Sequence, residues 1–238
     1  MDQNKKEKIA VLIPVFNECE SIGKVLDAIP RELTDQIIVV DNGSSDGSRE
    51  VAEKHGATVI EESVRGYGAA CLRGIAYLEA AGAPDILVFL DGDYSDDPND
   101  MHALISKLYA GYDFVLGSRI LGIETYAAEL SPHSITGNKL AAFFLKWLFD
   151  GNYTDLGPFR AIRFKKLLEL EMKDKNFGWT IEMQIKAVRK NLQIAEIPVH
   201  YRNRYAGVSK VTGTFSGSIK AFFKITILIV LFFFNIKR

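Results

Sequence analysis

Short apolar runs rich in β-branched residues recur through the first half of the chain, and segments with helical periodicity separate them. Strands that are apolar on both faces belong to a sheet covered by helices on both sides. Their alternation with helices predicts an α/β fold built on a mostly parallel sheet. The predicted strands are residues 9–14, 36–40, 57–60, 85–90 and 114–116. The predicted helices are residues 17–29, a segment through 51–55, 67–81 and 98–110.

The second half of the chain has weaker periodicity, and we expect it to complete the sheet rather than to form a separate domain. Residues 120–136 lack a clear period, which predicts a mobile loop. The remaining predicted elements are a helix at 137–149, a loop or short strand at 153–162, a helix at 180–189 and a strand at 194–199. A chain of 238 residues can bury a sizeable core, and we predict one domain over residues 1–213.

The C-terminal residues 214–238 differ in character from the rest. Residues 225–236 are almost entirely apolar, with basic residues on both sides. A membrane-spanning helix usually needs about 20 apolar residues. This shorter run therefore predicts an apolar or amphipathic helix that lies on, or partly inserts into, a membrane surface. Because no secretory signal precedes the first predicted strand, we expect the protein at the cytoplasmic face of the cell membrane, as a peripheral or monotopic protein.

The strongest chemical signal is Asp91-Gly92-Asp93, directly after a predicted buried strand. Ligands of α/β proteins bind at the carboxyl ends of parallel strands. Carboxylate oxygens suit Mg²⁺ or Mn²⁺, and such an ion can bridge the oxygens of a diphosphate. A solvated turn is the alternative interpretation of an isolated Asp-x-Asp triplet, and the motifs around this one argue against it.

Those motifs are residues 14–18 (PVFNE), 39–48 (VVDNGSSDGS), 65–70 (RGYGAA) and 117–119 (GSR). Taken in order with Asp91-Gly92-Asp93, they resemble the family 2 glycosyltransferases of the GT-A fold, over about residues 8–213. Within that group, the chain is most similar to the polyprenyl-phosphate (dolichol-phosphate) sugar synthases and their bacterial relatives. The resemblance implies a Rossmann-like, mostly parallel sheet flanked by helices and a nucleotide-sugar donor.

The resemblance also implies roles on the donor side. It places Asp41 on the base or ribose and Asp46 in support of that loop, although Asp46 can equally cap the following helix. Asp91 then contacts the donor and Asp93 is the best metal ligand. Other residues implied in the nucleotide-sugar pocket are Pro14, Asn17, Glu18, Gly92, and Gly66 and Gly68, whose lack of side chains lets the backbone approach the nucleotide.

Two features near the Asp pair modify this assignment. Some synthases of this type carry an amide side chain two residues past the second Asp, where this chain has Ser95. A metal shell that uses such an amide is therefore not expected here. Asp96 and Asp97 follow directly; a contribution to the metal shell is the alternative, and we interpret both as solvated.

The chain has a formal net charge of −1, which gives no reason to expect nucleic acid as a partner. Its second half nevertheless offers a set of basic and hydroxyl side chains that suits phosphate groups, since arginine binds phosphate oxygens in a bidentate manner and lysine adds a point charge. A solvated basic face is the alternative for each of them. The candidates are Arg119, Arg204 and Lys210 as catalytic residues, and Arg160, Arg163, Arg202 and Ser209 as acceptor-side or phosphate-binding residues.

Asp155 and Glu182 are candidates for the acceptor side. A sugar hydroxyl acceptor requires a general base, which either acid could provide. A phosphate acceptor is already ionised, and the two acids would then only position other groups. For Glu182, support of a helix start is the structural alternative.

The sequence thus predicts a metal-dependent inverting glycosyltransferase with a nucleotide-sugar donor and a polyprenyl phosphate acceptor. A family 2 enzyme with a sugar or glycan acceptor, in cell-surface polysaccharide assembly, is the alternative. A nucleotidyltransferase normally has a Gly-rich basic loop after its first strand, and residues 15–18 (VFNE) lack one. A non-catalytic subunit is disfavoured by the presence of Asp91, Asp93, Arg204 and Lys210.

Overall fold

The structure is a computed structural model that describes residues 6–121, 132–207, 227, 229 and 232–234. Its strands are β1 (Ile9–Val15), β2 (Gln36–Asp41), β3 (Thr58–Glu61), β4 (Ile86–Phe89), β5 (Phe114–Ser118), β6 (Arg160–Arg163) and β7 (Ile194–Pro198). Its α-helices are α1 (Ile22–Ala28), α2 (Ser48–Lys54), α3 (Tyr67–Ala80), α4 (Met101–Tyr109), α5 (Pro132–Phe149), α6 (Phe164–Glu169) and α7 (Trp179–Arg189). A short 3₁₀ turn, Pro98–Asp100, precedes α4.

All the strands form one sheet in the order β3-β2-β1-β4-β6-β5-β7. β6 is antiparallel to its neighbours β4 and β5, and the other pairs are parallel. The prediction of an α/β fold with a mostly parallel sheet is therefore confirmed. β1, β2, β4, β5 and β7 all end at one edge of the sheet, which is called the carboxyl edge below.

The core lies on both faces of the sheet, as the apolar strand runs require. Leu12 and Ile13 are neighbours on β1, yet they belong to different hydrophobic clusters on opposite faces. One cluster includes Cys71 of α3 and Trp179 of α7, and the other includes Leu104 of α4. With both faces covered, the exposed end of the sheet that remains for ligands is its carboxyl edge.

Several predicted boundaries in the first half shift. α1 begins at Ile22 rather than at residue 17, because Asn17 has a left-handed φ of 54° and so cannot continue a helix. In the second half, α6 has no counterpart among the predicted elements, since its six residues are too few to show a period.

The region after β5 also differs from the prediction. α5 begins at Pro132, within the predicted loop 120–136, and proline suits the first turn of a helix. Residues 122–131 of that loop lie outside the described residues, as do most residues of the predicted C-terminal helix. Among the helices that the structure describes, none is long and apolar enough to cross a membrane.

Candidate active site

The loops that follow β1 and β2 are joined by hydrogen bonds at the carboxyl edge. The Asn17 main-chain N–H donates to Ser44 Oγ at 3.0 Å, and Asn17 Oδ1 accepts from the Ser45 N–H at 2.9 Å. The Glu18 N–H donates to Ser48 Oγ at 2.7 Å. These bonds place the predicted pocket residues Asn17 and Glu18 beside the loop that begins at Asp41.

Asp41 and Asp46 organise the loop after β2. Asp41 is 6% exposed, and its Oδ1 accepts from the Ser44 N–H at 3.0 Å. Asp46 accepts from the main-chain N–H groups of Ser48 at 3.0 Å and Cys19 at 3.1 Å. Burial alone would raise the pKa of Asp46, but the hydrogen bonds from Ser48 and Cys19 hold its pKa below the usual value. Asp46 therefore supports the two loops.

Gly66 and Gly68 begin α3 and touch protein main chain. A Cβ atom on Gly66 would lie 2.0 Å from the Lys175 carbonyl oxygen, and one on Gly68 would lie 2.0 Å from the Asp174 carbonyl oxygen. The Ala69 N–H also donates to Lys175 O at 3.0 Å. The close approach that the structure shows at these glycines is to the loop before α7, and their role beside a nucleotide stays a prediction.

Asp91 follows β4 at the centre of the carboxyl edge. Its Oδ1 is buried and has no hydrogen-bond partner among the described residues. Burial, together with the charge of Asp93, raises the pKa of Asp91 to about 7. An enclosed carboxylate oxygen without a donor is a costly arrangement unless a cation or another donor completes it.

Asp93 is 5% exposed and fixed on both of its oxygens. Its Oδ1 accepts from the Ser95 N–H at 2.9 Å, and its Oδ2 lies 2.5 Å from Arg204 Nη1. Arg204 Nη2 in turn pairs with Glu18 Oε1 at 2.5 Å. Burial alone would lower the pKa of Arg204, but the two carboxylates raise it above the usual value. Arg204 therefore ties the loop after β7 to the loops after β1 and β4.

The donor set at Asp91 and Asp93 fits a divalent metal ion that a ligand helps to hold. Two carboxylates on either side of Gly92 provide hard oxygen ligands, and Asp91 Oδ1 lacks a partner among the described residues. The residues that the structure describes contain no group of three or more His, Cys, Asp or Glu side chains arranged to bind a metal. Further ligands would therefore come from water or from the oxygens of a bound diphosphate.

Arg119 and Asp155 form a largely buried, bidentate ion pair next to this centre. Arg119 Nε lies 2.7 Å from Asp155 Oδ2, and Nη2 lies 2.8 Å from Oδ1. The Leu156 N–H also donates to Oδ1 at 2.7 Å. Burial alone would raise the pKa of Asp155, but Arg119 holds its pKa below the usual value. A carboxylate with these partners is a poor general base, and it positions Arg119.

Glu182 lies at the start of α7 and faces the loop before that helix. Its carboxylate accepts from the main-chain N–H groups of Lys173 at 3.1 Å and Asp174 at 2.6 Å, and pairs with Lys186 Nζ at 2.7 Å. Glu182 is 3% exposed. The structure therefore gives it the alternative role, support of a helix start, and the prediction of a general base does not fit this placement.

Arg160 and Arg163 lie at opposite ends of β6. Arg160 is 1% exposed, and its guanidinium donates to main-chain carbonyls, among them those of Pro158 and Thr180. Arg163 pairs with Glu7 and donates to the Leu108 carbonyl at the edge opposite the carboxyl edge. The prediction that both bind acceptor phosphate is corrected: Arg160 holds the loop before β6, and Arg163 is distant from the site.

Arg202 packs against the loop that contains the Asp pair. Its Nε donates to the Tyr94 carbonyl at 2.9 Å, and its guanidinium lies 3.9 Å from the centre of the Tyr94 ring. Its main-chain N–H donates to Ser95 O at 2.9 Å. Arg202 thus fixes the path of residues 201–205. Ser209 and Lys210 lie outside the described residues.

Asp96 is the residue that the sequence interpretation most clearly misjudged. It is 2% exposed rather than solvated, and neither carboxylate oxygen has a hydrogen-bond partner among the described residues. Burial, with the charge of Asp91 nearby, raises its pKa well above the usual value. Nothing in the sequence separates Asp96 from Asp97, which caps the 3₁₀ turn. The burial follows from the bridge between Asp96 and Tyr201.

An α/β sheet with paired carboxylates and partly buried arginines at its carboxyl edge defines the chain as a protein of GT-A type. Residues 10–170 match the model of Glycosyl transferase family 2, and the chain belongs to this family. The resemblance seen in the motifs is thereby confirmed.

Relatives of known and unknown activity share most of the chain. An uncharacterized glycosyltransferase of Mycobacterium tuberculosis is 34% identical over 218 residues, which is 90% of this chain and 94% of that protein. A dolichyl-phosphate hexose transferase of Haloferax volcanii is 35% identical over 86% of this chain and 87% of its own. A polyprenol monophosphomannose synthase of Mycolicibacterium smegmatis is 28% identical over 92% and 86%.

Solved structures share the fold. Glucosyl-3-phosphoglycerate synthase from Mycobacterium tuberculosis, in complex with Mn²⁺, uridine diphosphate and phosphoglyceric acid, superposes with a TM-score of 0.74 at 23% identity. The match covers 98% of this chain and 80% of the synthase. At this identity the likeness concerns the fold alone.

Proposed function

We propose that the protein is an inverting glycosyltransferase that moves a sugar from a nucleotide diphosphate to a polyprenyl phosphate at the cytoplasmic membrane face. The observation that carries the proposal is that Arg204 joins Asp93 to Glu18 at the carboxyl edge, with the Asp91 carboxylate close enough to feel its charge. The dolichyl-phosphate and polyprenol names of the relatives support the choice of acceptor.

The donor half of the reaction needs neutralisation of a leaving diphosphate. Asp91 and Asp93 would hold Mg²⁺ or Mn²⁺, which supplies positive charge to the diphosphate oxygens. Asp41 and Glu18, at the joined loops after β2 and β1, line the side on which the nucleoside would bind. Pro14 and Gly92 contribute backbone at the same edge.

Arg119 and Arg204 provide the permanent positive charge of the site. Asp155 holds the Arg119 guanidinium through two parallel hydrogen bonds, so its position does not depend on the ligand. Preorganised charge of this kind stabilises a transition state without a cost of reorganisation. Ser209 and Lys210 are proposed, on the family resemblance, to add to this set.

The hydrogen bonds and ion pairs of Asp155 and Glu182 favour a phosphate acceptor over a glycan hydroxyl. A hydroxyl acceptor requires a general base. Asp155 is engaged by Arg119 and Leu156, and Glu182 by Lys173, Asp174 and Lys186. An acceptor phosphate is already ionised and attacks the anomeric carbon, from the face opposite the leaving group, without losing a proton.

The test is a screen of nucleotide sugars with polyprenyl phosphate in the presence of Mg²⁺ or Mn²⁺. Mass spectrometry is expected to detect a polyprenyl-phosphate sugar together with the released nucleoside diphosphate. Asp93→Asn should lower kcat/KM about a hundredfold or more, since a metal site contributes several kcal/mol to such transfers. The matched control is Asp27→Asn, an exposed carboxylate far from the carboxyl edge.

Two results would contradict the proposal. Absence of product with every common nucleotide sugar would exclude the polyprenyl phosphate acceptor. Full activity of Asp93→Asn would exclude the metal assignment and leave the acceptor in place.

A further inference from the structure

Helix α5 carries two apolar faces, only one of which packs on the protein. Ala141 and Leu145 are 4% and 0% exposed and belong to the core. Phe143 and Trp147 are 59% and 70% exposed, and Leu140 is 39% exposed. At about 100° per residue, these three residues form a stripe on the side of the helix opposite Leu145. The outward stripe is exposed, and it does not contribute to the core.

The aromatic side chains of the stripe are ordered against one another. The rings of Phe143 and Trp147 are stacked, with centroids 6.5 Å apart and an interplanar angle of 17°. Single exposed apolar residues are common on protein surfaces, but contiguous apolar patches mark interaction sites. A pair of stacked aromatic rings on one helix face is therefore a candidate docking surface.

Basic residues flank this stripe. Lys139 and Lys146 are exposed and lie on the same side of it, and residues 138–149 contain no acidic side chain. A helix with aromatic residues on one face and lysines beside them has the composition of helices that lie in a lipid interface. Its polar flank would meet anionic headgroups while the rings enter the headgroup–acyl boundary.

The exposed apolar surface continues onto the C-terminal residues. Phe233 and Phe234 are 48% and 66% exposed, and Phe233 lines a shallow concavity together with Trp147. Arg189 connects the end of α5 to the C-terminal residues, because its guanidinium lies 5.4 Å from the Phe149 ring and 5.6 Å from the Phe232 ring.

We propose that this surface docks on an anionic lipid membrane. It is called the α5 face and consists of Lys139, Leu140, Phe143, Lys146, Trp147, Phe233 and Phe234. The proposal rests on the proposed function, since a polyprenyl phosphate acceptor lies in a membrane. A second copy of the chain is a poorer partner, because a pair of such faces would bring their lysines together, and Asp150 is the one acidic side chain that lines the adjoining concavity, against Lys146 and Arg189. Anionic headgroups neutralise the same lysines.

The experiment measures binding of the full chain to phosphatidylcholine vesicles with and without about 30% phosphatidylglycerol. Binding is expected to need the anionic lipid and to weaken as salt is raised. Phe143→Gln combined with Trp147→Gln should weaken it about tenfold or more. Lys139→Gln combined with Lys146→Gln should weaken it by about fivefold per lysine. The matched control is Tyr109→Gln, an exposed aromatic residue on α4.

Tryptophan fluorescence gives a second, independent readout. The chain has two tryptophans, and Trp179 is 1% exposed in the core. Brominated lipid is expected to quench part of the emission of the wild type, and Trp147→Phe should remove the quenched part. This measurement locates the contact even if a polar variant folds poorly.

The outcomes separate this proposal from the proposed function. Vesicle binding that is unchanged in the Phe143/Trp147 double variant would overturn the docking surface, as would a wild type that does not bind. A dimer in sedimentation equilibrium that the double variant dissociates would assign the face to a second copy. If the docking results hold while no sugar is transferred to polyprenyl phosphate, the proposed acceptor fails and the membrane surface stands.

Discussion

At the scale of single residues, the Arg119–Asp155 pair shows how the site keeps a positive charge in place. Asp155 is buried and the Arg119 side chain is 14% exposed, and Arg119 Nε lies 2.7 Å from Asp155 Oδ2. Removal of one partner from a buried ion pair leaves an uncompensated charge. We expect Asp155→Ala to lower the free energy of unfolding by about 3–5 kcal/mol, as measured by urea denaturation.

The control for this substitution is the exposed pair of Asp27 and His55. Surface ion pairs contribute little, so Asp27→Ala should change the free energy of unfolding by less than about 1 kcal/mol. If Asp155→Ala were as stable as Asp27→Ala, the pair would not be a fixed part of the site.

Replacement of Asp96 should stabilise the protein, in contrast to replacement of Asp155. Asp96 is a buried carboxylate without a hydrogen-bond partner among the described residues. Its pKa is raised in the folded protein, so above the unfolded pKa of about 3.9 the folded state binds more protons than the unfolded state. Stability due to Asp96 is therefore lost as the pH rises above that value. Asp96→Asn should raise the free energy of unfolding by about 1–3 kcal/mol at pH 8.

The measurement is urea denaturation without divalent cations at pH 8 and pH 4.5. The gain from Asp96→Asn should shrink at the lower pH, where the wild-type carboxyl is closer to being neutral in both states. Asp97→Asn is the control, since Asp97 is partly exposed and accepts from the Asn99 N–H. A loss of stability in Asp96→Asn at pH 8 would contradict the prediction.

At the scale of elements, the N-terminus of α3 packs directly on the loop before α7. Gly68 is helical and has an ordinary φ, so Gly68→Ala would normally stabilise the helix. Here the new Cβ would lie 2.0 Å from the Asp174 carbonyl, which is main chain and cannot rotate away. We expect Gly68→Ala to lower the free energy of unfolding by about 1–3 kcal/mol.

The control for Gly68→Ala is Gly82→Ala. Gly82 has a φ of +107°, and a Cβ atom added there would meet nothing within 4 Å, so this variant measures backbone strain without overlap. Hydrogen exchange should show faster exchange in residues 173–178 of Gly68→Ala and none of that change in Gly82→Ala. Unchanged exchange there would contradict the packing argument.

The elements differ in how far the sequence predicts them. β1, β2 and β4 are predictable because their apolar runs are buried on both faces, and their ends place Asp41 and Asp91 at one edge. β6 is harder to predict, since it has four residues and Arg160 and Arg163 leave it only two apolar ones. Arg160 is buried because carbonyl oxygens of the loop before β6 and of Thr180 surround its guanidinium, and an irregular loop of this kind has no periodic pattern that reveals it.

The residues of the site divide in the same way, into those that local sequence places and those whose partners depend on packing. The sequence places Asp41, Asp91 and Asp93 at the carboxyl edge, because Asp41 ends β2 and the Asp pair lies in the loop directly after β4. The partners of Asp155 and Glu182 depend on residues brought together by packing, and spacing along the chain does not encode them. Roles inferred from residue type alone therefore failed where another part of the protein already used the side chain.

At the scale of the whole molecule, the chain after β7 returns across the carboxyl edge and closes the site. Tyr201 bridges Asp96, Arg202 bonds to Tyr94, and Arg204 bonds to Asp93 and Glu18. The last strand is thus linked to the loops of the first and fourth. Arg204 supplies, within the protein, positive charge at the carboxylates proposed to hold a metal ion.

This linkage predicts a competition between Arg204 and the metal for Asp93. In the wild type, a cation must share or displace the guanidinium on Asp93 Oδ2. Arg204→Gln removes that competitor and leaves Glu18, Asp91 and Asp93 with less positive charge nearby. Mn²⁺ alone should therefore raise the melting temperature of Arg204→Gln more than that of the wild type, since binding to the folded state stabilises it by mass action.

With a nucleoside diphosphate present, the wild type should bind its ligands more tightly than Arg204→Gln. If Arg204 contacts the diphosphate, Arg204→Gln loses charge-assisted hydrogen bonds, and the affinity for the diphosphate with Mn²⁺ should fall about tenfold or more. Arg204→Lys keeps the charge, so Mn²⁺ alone should raise its melting temperature by about as much as that of the wild type. Arg202→Gln is the control, because the Arg202 guanidinium bonds to main-chain carbonyls rather than to these acids. Equal Mn²⁺ shifts in Arg204→Gln and the wild type would show that the metal and Arg204 do not compete for Asp93.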